Sequence, residues 1–139
     1  KPITQNWLTV GASSMKVDDN LVADFSNYGA KTVEIFAPGV DLWGTKPGNR
    51  YGSFSGTSMA SPVVAGVAAV IRSYYPQLSA AEVKEVIMKS VTKVDQMVQK
   101  PTETGRGDRV NFSTLSVTGG VVNLYNALLA AEQIAAAKK

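Results

Sequence analysis

Apolar and polar positions divide the chain into short extended segments and then helices. Trp7-Leu8-Thr9-Val10-Gly11-Ala12 has the aromatic and β-branched content of a strand, and Gly11 with Ser13 and Ser14 ends it. After a polar turn over residues 16–20, residues 21–26 are short and mixed and predict a loop with some extended structure. It leads to Asn27-Tyr28-Gly29, where Asn and Gly favour a turn. Thr32-Val33-Glu34-Ile35-Phe36-Ala37 predicts a second strand. Pro38-Gly39 closes it, because proline removes a ladder donor and glycine permits the reversal. Glycines at 44, 48, 52 and 56, with Pro47, exclude a long helix there and leave Tyr51-Gly52-Ser53-Phe54 as a short extended piece.

At Thr57 the character changes. Small and apolar residues run from Met59 through Ile71 and end at Arg72-Ser73-Tyr74-Tyr75-Pro76, which predicts a helix. Pro62 fits only where backbone N–H groups are unpaired, in the first turn, so the helix should begin near Ser58 with Thr57 as its N-cap. Being apolar nearly all round, it is expected to be a buried central helix. Ser79-Ala80-Ala81-Glu82 matches a capping box and predicts a helix to about Val91, with Val83, Val86, Ile87 and Ser90 on one face. Residues 99–108 lack periodicity and read as an exposed loop open to proteolytic nicking. Beyond Gly119-Gly120, the spacing of Leu124, Ala127, Leu128 and Ala131 predicts a closing helix. There is no internal repeat.

Composition narrows the chemistry. The 139 residues, 45% hydrophobic and 18% charged, suit one soluble globular domain. The chain has no cysteine, which excludes disulfides, thiolate metal sites and cysteine nucleophiles. It also has no histidine, so any serine nucleophile must find its base outside the chain. The net charge of +3 is small and is most concentrated at Lys138 and Lys139, read as a solvated tail, which argues against nucleic-acid binding. Residues 1–6 are polar and unlike a secretion leader. The longest apolar run, 63–71, stops far short of the ~20 residues that span a bilayer. Glu34 lacks companion ligands, so no metal site is read, and nothing implies a cofactor.

The segment that carries chemistry is Ser55-Gly56-Thr57-Ser58-Met59-Ala60-Ser61-Pro62. It places a serine after a glycine turn at the start of a helix, where unpaired N–H groups and the helix dipole favour negative charge. The Ser58 N–H is thus a candidate oxyanion donor, and Gly56 lets the backbone approach a substrate carbonyl. An arbitrary Gly-Thr-Ser triplet would merely cap a helix. The longer string, continued by Val64-Ala65-Gly66, closely resembles the serine signature of the subtilases, the subtilisin-like serine peptidases. The likeness extends through Val10-Gly11-Ala12, Asp24-Phe25-Ser26-Asn27-Tyr28-Gly29, Ala37-Pro38-Gly39-Val40 and Tyr75-Pro76-Gln77-Leu78-Ser79. It is looser over Gly119-Gly120-Val121-Val122-Asn123-Leu124-Tyr125-Asn126-Ala127-Leu128.

The resemblance implies an α/β fold, the C-terminal part of a three-layer α/β/α domain with a mostly parallel sheet, residues 1–139 being one portion of one catalytic domain. It implies that Ser58 is the nucleophile and that Gly56, Thr57 and Met59 shape its site. The family's catalytic Asp and His and its oxyanion Asn precede the matched region, so they are expected from an N-terminal part absent here, and this chain alone is expected to be inert. Asp18, Asp19, Asp24, Asp41 and Asp108 match no triad motif and read as turn or surface residues. Val63 stands where many subtilases carry a non-catalytic histidine. Met59 reads as a packing residue whose thioether invites oxidation. Phe54 reads either as lining the leaving-group side of the cleft, by similarity, or as a plain core aromatic. The implied partners are a protein or peptide substrate and the missing part of the domain, with the isolated chain prone to oligomerise. The implied location is secreted or extracytoplasmic. The alternative is an inert subtilase-derived interaction or structural module. An α/β-hydrolase elbow is disfavoured by Ala60, where glycine is wanted, and Thr45-Lys46-Pro47-Gly48 is no P-loop.

Overall fold

The computed structural model describes residues 6–138. The polar stretch 1–5 and Lys139 lie outside the described residues. Among the described residues, eight strands and three α-helices follow in the order β1 (Val10–Ser13), β2 (Ile35–Pro38), β3 (Leu42–Lys46), β4 (Arg50–Phe54), α1 (Thr57–Tyr74), α2 (Ala80–Lys89), β5 (Thr92–Lys93), β6 (Met97–Thr102), β7 (Gly105–Asn111), β8 (Gly120–Val121) and α3 (Leu124–Ala136). A 3₁₀ turn, Phe112–Leu115, links β7 to β8.

The central sheet has the order β1-β2-β8-β5, with β1, β2 and β8 parallel and β5 antiparallel at one edge. Alternation along β2 sorts its residues to two faces. Ile35 and Ala37 join Ala12, Val64, Ile71, Val83, Ile87 and Ala131 in a core between the sheet and the three helices. Phe36 points to the opposite face and packs with Val22, Val98, Phe112 and Leu115, its ring centroid 4.9 Å from that of Phe112. The α/β class and the mostly parallel sheet are as expected. Among the described residues the second face is covered by the β6–β7 hairpin and the 3₁₀ turn.

Several local expectations change. Residues 99–108, expected to be an unstructured loop, lie almost wholly in the β6–β7 hairpin, with Val98 and Pro101 buried. Its anchors are distant in sequence: Arg106 Nη1 donates to the Val22 carbonyl at 3.0 Å, and Arg109 pairs with Asp19 at 2.7 Å. Leu42–Lys46 forms a strand that local reading missed, paired with β4 across Pro47-Gly48-Asn49. Gly48 and Asn49 there take positive φ values of 78° and 54°, a region that glycine and asparagine tolerate best. Lys138 is not a free solvated tail, because its Nζ lies 2.7 Å from the Glu82 carboxylate. The capping box stands as predicted: Ser79 Oγ accepts from Glu82 N, and Glu82 Oε2 accepts from Ser79 N at 2.8 Å.

Candidate active site

Helix α1 is held to the sheet by backbone. The Gly39 N–H, just past β2, donates to the Ser13 carbonyl at 2.9 Å, and the Gly56 N–H donates to the Gly39 carbonyl at 2.8 Å. A side chain at Gly39 would clash, since an added Cβ falls 2.8 Å from the Gly56 carbonyl oxygen and 2.8 Å from the Ala12 Cβ. Glycine is therefore required where strand end and helix start approach. The buried Ala60, Val64, Val67 and Ile71 then lay one stripe of α1 on the sheet and its neighbouring helices.

Gly56, not Thr57, is the N-cap, and no side chain caps the helix. The Gly56 carbonyl accepts from both Met59 N and Ala60 N, so the Thr57 and Ser58 N–H groups are the ones left without an intrahelical acceptor. Ser58 is the second helical residue and is exposed. Pro62 sits in the second turn rather than the first, where its missing N–H leaves the Ser58 carbonyl without the usual i+4 donor. An exposed hydroxyl, free N–H groups and the positive end of an 18-residue helix dipole thus coincide at Ser58.

Two open depressions flank the serine. One, of about 620 Å³, is lined by Trp7, Leu8, Thr57, Ser58, Ser61 and Pro62 among others. The other, of about 530 Å³, is lined by Leu42, Trp43, Phe54, Met59, Pro62 and Val63 among others. Phe54 therefore faces this depression and is not a core aromatic, being 37% exposed at the end of β4. Met59 is half-buried beside it. The acidic residues lie in other settings. Asp18 accepts from Asn20 N in a turn, Asp19 pairs with Arg109, and the Asp41 N–H donates to Ser55 Oγ at 2.9 Å. Asp108 is exposed on β7, and Asp24 is exposed by a depression formed with Phe25 and Arg106. The Glu34 carboxylate accepts from Thr9 N at 2.6 Å, so it braces β1. Among the described residues no group of three His, Cys, Asp or Glu side chains could hold a metal ion.

The expectation of all-round burial for α1 is not met. Ala65, Gly66 and Ala69 are exposed, so an apolar face of the helix stands open on the side away from its packed stripe. A profile of the Subtilase family matches residues 3–108. The chain belongs to the subtilase family. It is 50% identical over 72 residues to subtilisin DY of Bacillus licheniformis, a match covering 52% of this chain and 26% of that protein. It is 42% identical over 94 residues to alkaline elastase YaB of Bacillus sp. strain YaB, covering 68% of this chain and 24% of the relative. The chain therefore spans about a quarter of the curated relatives it matches.

Solved structures agree on the fold. The chain superposes on the subtilase cytotoxin SubAB with a TM-score of 0.71 at 24% identity, over 91% of this subtilase and 37% of that chain. It superposes on the prenylagaramide maturation protease PagA with a TM-score of 0.66 at 28% identity, covering 89% and 42% respectively. No helix among the described residues of this subtilase is long and apolar enough to cross a membrane.

Proposed function

We propose that Ser58 is the nucleophile of a secreted serine endopeptidase, and that residues 1–139 form the C-terminal portion of its catalytic domain. The observation that carries this reading is the placement of Ser58: exposed, second in α1, with its own N–H unengaged in the helix. Ser58 Oγ attacks the scissile carbonyl while a histidine takes its proton; the tetrahedral oxyanion is held by the Ser58 N–H and an asparagine amide; the same proton then leaves with the amine. Water hydrolyses the resulting ester by the reverse proton route. The histidine must come from another segment, because this chain has none. The open face of α1 suits such a segment, since it leaves apolar surface to be covered. Phe54 and Met59 then wall the leaving-group side of the cleft, and a protein or peptide is the substrate.

The test is intact-mass analysis after exposure to a fluorophosphonate probe. The longer protein should gain one adduct at Ser58, its Ser58→Ala variant none, and this chain alone none. A folded longer protein that stays unlabelled overturns the reading and leaves an inert interaction or structural module.

A further inference from the structure

The β3–β4 hairpin presents an asymmetric face beside the serine. In its register Gly44 lies opposite Gly52, Lys46 opposite Arg50 and Leu42 opposite Phe54, so these six residues share one side of the ribbon. Two facing glycines leave a bare lane along its middle. Lys46 lies down in that lane: a Cβ added at Gly52 would fall 2.4 Å from both Cε and Nζ of Lys46, whereas one at Gly44 would meet nothing within 4 Å. Gly52 is buried although its strand neighbours are exposed. The lane delivers the ammonium to Phe54, whose ring centroid is 4.7 Å from Lys46 Nζ.

Phe54 also walls the depression that Met59 shares, one residue from Ser58. Among the described residues Lys46 has no carboxylate partner. Its cross-strand neighbour Arg50 adds a second cation, and Asp41 is turned toward the hydroxyls of Ser53 and Ser55. The ammonium is thus held by a glycine lane against a ring that lines the depression, with its counter-ion still to be supplied.

We propose that Lys46 is a specificity-determining residue that favours substrates bearing a carboxylate side chain on the leaving-group side of the scissile bond. This rests on the peptidase reading above. The ammonium is exposed, so the preference is modest and screened by salt.

The experiment compares the longer protein with its Lys46→Met and Lys46→Glu variants. Its substrates are paired quenched peptides differing only as Glu or Gln at the first or second position after the cleaved bond. Methionine keeps the unbranched stem in the lane and removes the charge. The wild-type kcat/KM ratio, Glu over Gln, should be about two- to fivefold at low ionic strength. It should fall to near unity in Lys46→Met, invert in Lys46→Glu, and collapse in high salt while cleavage of the Gln peptide persists. An equal ratio in wild type and Lys46→Met overturns the proposal alone. Absence of cleavage by every form, or cleavage that survives Ser58→Ala, overturns the peptidase reading and this proposal with it.

Discussion

Both hairpins of this subtilase are antiparallel ribbons closed at glycine-bearing turns, but they are held in opposite ways. The β6–β7 ribbon is polar in sequence yet laid flat on the sheet, burying Val98 and Pro101 and reaching back to Val22 and Asp19 through two arginines. The β3–β4 ribbon carries more aromatic surface yet stands clear, with Trp43 76% and Tyr51 70% exposed, and is anchored chiefly near Leu42 and Phe54 beside α1. Apolar content alone therefore does not say which ribbon is structural. The docked hairpin completes the second core, and the free one lines the depression beside Met59.

Truncation should expose this difference most strongly at Phe112. It is fully buried against Phe36, so Phe112→Ala should lower the stability of the folded protein by about 3–5 kcal/mol in chemical denaturation. Val98→Ala, in the same core, should cost about 1–3 kcal/mol by the same measurement. The Ser79 cap is a local contact, and Ser79→Ala should cost about 1 kcal/mol, read as a lowered melting temperature. Trp43→Ala on the free ribbon should stay within about 0.5 kcal/mol, and a loss as large as that of Val98→Ala would show that this ribbon too is structural.

The smallest effect expected is electrostatic. The bond from Lys138, followed by the backbone and side-chain bonds of Ser79, lowers the Glu82 carboxyl from 4.5 to about 2. A depressed carboxylate favours the folded state fully above its ordinary range, and that contribution fades as pH falls from about 4.5 toward 2. Lys138→Met should move the Glu82 titration upward, followed by carboxyl NMR, with little change in stability near neutral pH because the pair is partly exposed.

Legibility followed the range of the interactions. The capping box of α2, the stop at Pro38-Gly39 and the serine at the head of α1 depend on neighbours a few residues away, and each was readable from its own string. The docked hairpin was not, because what makes Gln99 and Arg106 ordered is contact with Asp19 and Val22 across the chain. The β3 strand was hidden by its own content: Leu42-Trp43-Gly44-Thr45-Lys46 contains a glycine that reads as a breaker until its partner Gly52 is known. The signal that could have found it is the Pro47-Gly48-Asn49 turn between two five-residue stretches. Thr57 was misread as the cap because sequence shows side chains capable of capping, while the structure caps with the Gly56 backbone. Pro62 was placed a turn too early because its cost, one lost carbonyl bond, falls on the exposed head of the helix.

The Gly39–Gly56 hydrogen bond carries a consequence for how this protein tolerates change. The bonds that tie Gly39 to Ser13 and Gly56 to Gly39 run between peptide groups, with the Ser55 hydroxyl adding one side-chain bond beside them. Substitutions that reshape the interior around Val64 or Ile87 can loosen or tighten the whole without resetting where Ser58 stands relative to β2. Stability and address are thereby separated: the interior can drift, while the serine keeps the coordinates that the strand assigns to it.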